Sequence, residues 1–305
     1  MRFGSLIFVV LNLSTMNITF IGLGIMGQAM ASNLLKNKTP LIVYNRSLEK
    51  TEPLKALGAK VATNIAKAVS EADLVISMLA DPNAVRELFF ASDGVLSHMK
   101  AEATWIDCST VDPNFSREAA VMAQEQNILF IDAPVAGSKP QAEAAVLSFF
   151  VGASHQTIAP FESILLQMGQ KIIPFEKVGQ GSAFKMVVNM LLGQAMVVFS
   201  EAIQLGLKLG IDPDFLLNTL PKLPVTAPFT AFKTDNIRSN EYPAEFPLEL
   251  MLKDLRLATA SYTDAGKRLP MAEAAKAQFE AADQAGLGRA DFSAVHQYLA
   301  ALSTK

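Results

Sequence analysis

The chain has 305 residues, half of them hydrophobic and 18% charged, with a formal net charge of -3. That composition suits about two globular domains with a substantial core; it excludes extended disorder and offers no basic footprint for nucleic acid. A single cysteine, Cys108, rules out an intrachain disulfide and fits a reducing, cytoplasmic setting, and three scattered histidines (His98, His155, His296) make no zinc set, so no metal is expected.

In chain order, residues 1–16 come first as an N-terminal extension. The apolar run from Leu6 to Leu13 is too short to span a bilayer, and Leu13-Ser14-Thr15 is a poor cleavage site, so Met16 is the expected natural start. From Asn17 onward apolar runs alternate with helix-like stretches. Ile18–Ile21, Leu41–Tyr44, Leu74–Met78, Thr104–Asp107 and Ile128–Ile131 read as buried parallel strands. Met26–Lys36, Leu48–Leu57, Pro82–Phe90 and Pro113–Gln126 suit the crossover helices between them, which predicts a doubly wound parallel α/β sheet of the Rossmann type over residues 17–178. Leu147–Val151 and Lys171–Pro174 are expected to extend its edge. After Val178 the pattern turns helical: Ser182–Leu209, Asp212–Thr219, Phe246–Asp264, Met271–Ala285 and a last helix from Ser293 predict an all-helical domain over 179–305. Lys185, Asn189, Gln194, Glu201 and Gln204 interrupt the long apolar stretch from Ser182, which therefore reads as a helix buried between domains or in a dimer core, not a membrane span. A homodimer or homotetramer is the expected state.

Gly22-Leu23-Gly24-Ile25-Met26-Gly27 fits G-x-G-x-x-G between an apolar strand and a helix, the context a dinucleotide site requires. Gly22 permits the tight turn, Gly24 lets backbone approach a pyrophosphate, and Gly27 lets helix and sheet pack closely. At the end of the second strand the chain reads Tyr44-Asn45-Arg46-Ser47, without the carboxylate that would bind a ribose 2′-hydroxyl. Arg46 can pair with a 2′-phosphate, and Asn45 and Ser47 can add neutral hydrogen bonds, so NADP(H) is the expected cofactor. Lys185 and Asn189 stand four apart and share one helix face. A lysine within such an apolar stretch invites a lowered pKa, as proton transfer near neutral pH demands. Asp107 and Asp132 read as strand-end caps, Ser109 is ambiguous, and Cys108 reads as a buried structural thiol.

Five segments in order, Gly22–Gly27, Asp107-Cys108-Ser109-Thr110, Asp132–Ser138, Gly179-Gln180-Gly181 with Lys185 and Asn189, and Phe246 with Lys253-Asp254, resemble the β-hydroxyacid dehydrogenase family over nearly the whole chain from Asn17. Gly137-Ser138-Lys139-Pro140 with Ala142-Glu143 looks most like its glyoxylate/succinic semialdehyde reductase branch. The resemblance implies an oxidoreductase that reduces a small carboxylated aldehyde to the hydroxyacid, with Lys185 protonating the carbonyl oxygen as hydride arrives. It implies that Asn189, Phe246, Asp254 and the Ala136-Gly137-Ser138 segment bind substrate, and that Leu79, Ala80, Thr110 and Lys253 join the cofactor loop, between the sheet's carboxyl edge and the helical domain. Ala136 stands where the family usually carries serine; Ser138 is the candidate to replace that hydroxyl. Alternatives are 3-hydroxyisobutyrate or tartronate semialdehyde as substrate, an imine reductase (against which Lys185 argues), and a non-catalytic NADP-binding regulatory module.

Overall fold

The computed structural model describes residues 16–263 and 266–302; the expected extension lies outside them apart from Met16. The chain divides into two compact units, residues 1–182 and 183–305.

The first unit is built on six strands: β1 (Ile18–Ile21), β2 (Leu41–Tyr44), β3 (Lys60–Val61), β4 (Leu74–Ser77), β5 (Thr104–Asp107) and β6 (Leu129–Asp132). They lie in the order β3-β2-β1-β4-β5-β6, every neighbouring pair parallel. Strands β1 and β4 are neighbours although the chain leaves β1 in the opposite direction, so their carboxyl ends form the switch point at which such sheets bind ligands. Both faces are covered, which is why β1, β4 and β5 are buried at every position. One face packs on Met30, Leu34 and Leu54, the other on Val85, Phe89 and Phe115. Trp105 stacks on Phe89 with ring centroids 4.0 Å apart and meets Phe130 edge-on at 4.6 Å, each contact adding about 0.5–1.5 kcal/mol to plain burial.

One expectation needs correction. Leu147–Val151 (β8) and Gly169–Pro174 (β9) do not extend the six-stranded sheet; with β7 (Val135–Ala136) they form a second sheet in the order β7-β8-β9. Pro134 has no N–H to offer a ladder, the chain breaks from β6 there, and β7 pairs antiparallel with β8 beyond the break. The two-residue strand β3 carries no readable pattern, since Lys60 is exposed.

The second unit is helical, and apart from one isolated bridge between Pro247 and Asp291 it has no strand pairing among the described residues. Gln180–Lys208 is its longest helix; residues 180–182 of it fall in the first unit. Leu248–Thr263, Pro270–Ala282 and Val295–Leu302 pack with it around Met196, Phe199, Ile203, Leu255, Phe279 and Val295. Length and composition alone would let Gln180–Lys208 cross a membrane, yet these core residues are as buried as any in a globular interior. The sequence pattern misses the short 3-10 helices Leu220–Lys222 and Pro228–Phe232 and the short α-helix Thr234–Ser239. It also runs the Met271 helix too far: that helix ends at Ala282 and gives way to a wider turn in which Gly286 has φ of 90°.

Candidate active site

In the first unit the candidate site is the turn after β1. Gly22 has φ of 92°, and a Cβ there would lie 2.3 Å from the Met78 carbonyl oxygen and 2.8 Å from Leu79 Cδ2, so only glycine fits. At Gly27 a Cβ would lie 2.0 Å from the Gly22 carbonyl oxygen, which is the close helix-to-turn packing expected of the third glycine. Gly24 differs from both: a Cβ there would meet nothing within 4 Å. Its side is open space, bounded by the start of the helix Ile25–Lys36, whose first-turn N–H groups have no intrahelical acceptor. Open volume beside a glycine, under a helix N-terminus, is what a pyrophosphate requires, and the loop therefore fits a dinucleotide.

Around this loop, Asn45 Oδ1 accepts from Leu23 N at 2.9 Å and its Nδ2 donates to the Ser47 carbonyl at 2.9 Å, so it ties the end of β2 to the glycine turn and keeps one N–H and one lone pair for a ligand. Arg46 is exposed and Ser47 half-buried, both at the position where a 2′-phosphate would be read. Leu79 and Ala80 follow β4 directly, and Thr110 follows β5.

The carboxyl ends of β4, β5 and β6 carry buried polar groups. Asp107 Oδ1 accepts from Ser77 Oγ at 2.7 Å and from Ser109 Oγ at 2.6 Å. Burial raises the Asp107 carboxyl pKa above its ordinary value; the Ser109 and Ser77 hydrogen bonds oppose this and the neighbouring Asp132 adds to it. Asp132 accepts from Gly179 N at 2.8 Å and Ser182 N at 2.9 Å, fixing the turn into the long helix. Burial likewise raises its pKa, against those same bonds. Both aspartates thus serve local backbone and hydroxyl groups. Burial also pushes the Cys108 thiol well up, which leaves it inert as a nucleophile.

Ala136 ends β7, and Gly137 has φ of 124° with no room for a Cβ, which would lie 2.7 Å from Leu147 Cδ2. Ser138, the expected stand-in for the hydroxyl missing at position 136, is engaged locally. Its N–H and its Oγ both donate to Gln141 Oε1, at 2.9 Å each, closing a capping box on Lys139–Glu143.

The second unit carries a buried polar cluster of its own. Lys185, Asn189 and Asp254 are all buried, from Gln180–Lys208 and Leu248–Thr263. Asn189 Nδ2 donates to Asp254 Oδ2 at 2.5 Å, and Lys253 Nζ lies 2.9 Å from Asp254 Oδ1. Burial lowers the Lys185 pKa to about 8; the Asp254 carboxylate pulls it up and the Lys253 ammonium pushes it further down. Close packing makes this helix pair possible, because a Cβ at Gly193 would lie 3.1 Å from Met251 Sδ. The expected cofactor residue Lys253 is therefore found ion-paired within its own unit. Phe246 is held by the turn that follows: its N–H donates to Asp291 Oδ2 at 3.2 Å, its carbonyl accepts from Phe292 N at 2.8 Å, and its ring lies 5.7 Å from that of Phe292. Asp291 in turn holds Lys233 at 3.1 Å in a buried ion pair that no sequence pattern announced.

Comparison with known proteins agrees with this division. Residues 17–179 match a family described as the NAD binding domain of 6-phosphogluconate dehydrogenase, and residues 179–299 one described as NAD-binding of NADP-dependent 3-hydroxyisobutyrate dehydrogenase. Glyoxylate/succinic semialdehyde reductase 2 of Arabidopsis thaliana is 35% identical over 96% of this chain and 82% of its own length. The mitochondrial 3-hydroxyisobutyrate dehydrogenase of Mus musculus is 33% identical over 92% of this chain and 86% of its own. Among solved structures, Mycobacterium tuberculosis 3-hydroxyisobutyrate dehydrogenase with L-serine superposes with a TM-score of 0.83 at 29% identity, covering 93% of this chain and 99% of that one.

Proposed function

This chain belongs to the 3-hydroxyisobutyrate dehydrogenase-related β-hydroxyacid dehydrogenase family and is an NAD(P)-binding oxidoreductase, and we propose that it uses NADPH to reduce a small carboxylated aldehyde, glyoxylate or succinic semialdehyde, to the hydroxyacid. The observation that carries the reading is Lys185: an amine buried beside Asn189 and Asp254 with a pKa near 8. Such a group is charged at neutral pH, so it can give a proton to a carbonyl oxygen, and it loses that proton easily enough to take one back in the reverse direction.

The bound nicotinamide would supply the hydride. Gly24 and the first turn of Ile25–Lys36 would hold its pyrophosphate, and Arg46 would meet a 2′-phosphate. Preference for NADPH rests on that arginine and on the lack of a carboxylate at the end of β2. The choice of aldehyde is supported by the 35% identity to a glyoxylate/succinic semialdehyde reductase and by the Gly137-Ser138-Lys139-Pro140 segment. The face of Gln180–Lys208 that carries exposed Phe184, Leu191, Val198 and Leu205 supports a homo-oligomer, because a seven-residue repeat keeps one stripe along a whole helix.

The test is NADPH oxidation with glyoxylate, succinic semialdehyde, methylmalonate semialdehyde and a cyclic imine. Turnover of either of the first two supports the reading; methylmalonate semialdehyde alone would move the chain to another branch, and the imine alone would refute carbonyl reduction. Lys185→Ala should lower kcat by about 10²–10⁴ with NADPH affinity nearly unchanged. Silence on all four substrates despite tight NADPH binding would favour a non-catalytic module.

A further inference from the structure

Ser109 and Asp107 are left without a part in the reaction, yet they sit at the centre of a buried polar network of the first unit. The Trp105 indole Nε1 donates to Ser77 Oγ at 2.7 Å, and Ser77 Oγ donates to Asp107 Oδ1 at 2.7 Å. From the other side the Leu79 N–H donates to Ser109 Oγ at 2.9 Å, and Ser109 Oγ donates to Asp107 Oδ1 at 2.6 Å. The Ser109 N–H adds a third bond to the same oxygen at 3.2 Å. An indole N–H and an amide N–H can only donate, so each serine hydroxyl receives one bond and must turn its own hydrogen to the aspartate. Both chains therefore run one way and end on one oxygen.

The far end of the second chain matters for the nucleotide. Leu79 N belongs to the residue whose Cδ2 lies against Gly22, and the Met78 carbonyl blocks the same glycine. Met78 N also donates to the Ile21 carbonyl at 2.9 Å. The backbone at 78–79 is thus the wall against which the dinucleotide turn is formed, and among the described residues Ser109 is the side chain that fixes the Leu79 amide.

We propose that Asp107 and Ser109 are positioning residues for the cofactor: Asp107 orients the Ser109 hydroxyl, the hydroxyl anchors the Leu79 amide, and that anchor holds the Gly22 turn in its nucleotide-binding form. This rests on the reading of Gly22–Gly27 as the dinucleotide site.

The experiment titrates NADPH, by its own fluorescence, into the native chain and into Ser109→Ala, Asp107→Leu, Asp107→Asn and the Ser109→Ala/Asp107→Leu pair, with Tm measured for each. Ser109→Ala removes the acceptor of a partly buried amide and should weaken NADPH by about fivefold or more. Asp107→Leu should do the same, and the double variant should be no worse than Asp107→Leu alone, because both act on one anchor. Asp107→Asn keeps an acceptor oxygen and should restore affinity. The emission of Trp105, the only tryptophan, should stay native in Ser109→Ala, whose lesion lies on the other chain. NADPH affinity within twofold of native in both Ser109→Ala and Asp107→Leu would overturn the proposal, as would a loss of Tm with no loss of affinity. If Asp107→Leu fails to fold, Ser109→Ala alone decides. Failure of the native chain to bind NADPH or NADH would instead overturn the dinucleotide reading itself.

Discussion

Asn189 donates its amide to Asp254, and its Oδ1 is left buried with no hydrogen-bond partner among the described residues. The carboxylate only accepts, so it dictates which end of the amide faces it and which end faces away. The orphaned oxygen is thus aimed, by Asp254, at something that donates. A substrate hydroxyl forming during reduction would satisfy it.

On the proposed mechanism Asp254 tunes the pH profile. If Lys185 is the acid in reduction it must be charged, so the reduction rate should fall as pH rises through about 8; hydroxyacid oxidation would need the neutral amine and should rise through the same range. Asp254 raises the Lys185 pKa, so Asp254→Asn should move both limbs to lower pH. Rate–pH profiles in the two directions check this. Limbs that stay in place, or move up, would contradict it.

The first two glycines of the loop should fail differently. Gly22→Ala forces a side chain onto the Met78 carbonyl at positive φ, and should lower Tm by several degrees, in keeping with about 1–3 kcal/mol of strain. Gly24→Ala meets no protein atom and should keep its Tm while weakening NADPH by about tenfold or more, since the methyl occupies the space held for phosphate. Thermal melts beside cofactor titrations separate the two.

Arg46→Ala should raise KM for NADPH by about tenfold, the loss of one charge-assisted phosphate contact, and leave KM for NADH within about twofold. Steady-state kinetics with both cofactors measure the ratio. An equal effect on both would remove Arg46 from cofactor choice.

The stripe of Phe184, Leu191, Val198 and Leu205 should hold copies of the chain together. Val198→Lys with Leu205→Lys should convert the oligomer to monomer in light scattering after size exclusion, because two charges on one apolar stripe cannot be desolvated there. A native chain that is already monomeric would remove this role.

The parts of the fold that follow from backbone necessity could be read from sequence. Gly22 needs positive φ, Gly27 needs contact with the turn, and buried parallel strands need unbroken apolar runs, so the loop and five of six strands were legible. What was not legible depended on side chains choosing among equal partners. Asn45 could have faced a ribose, but bonds Leu23 and Ser47. Ser138 could have faced a substrate, but closes on Gln141, a pairing its three-residue spacing did foreshadow. Strand β8 has the same apolar texture in either sheet, and only the break at Pro134 decides which one it joins. Serines such as Ser77 and Ser109 have no periodic signature, so the Asp107 network left no trace in the pattern.

The bonds of Asp132 have a consequence for how this chain can drift over time. Its carboxylate spans Gly179 and Ser182 and also fills the place where a side chain at Gly152 would stand, 2.0 Å from a Cβ there. Positions far apart in the gene are thereby bound to one history. A larger residue at 152 is tolerable only if 132 shortens, and a shortened 132 strands the amides at 179 and 182. Variation at these sites should arrive jointly or be purged, even though none of them need touch a substrate.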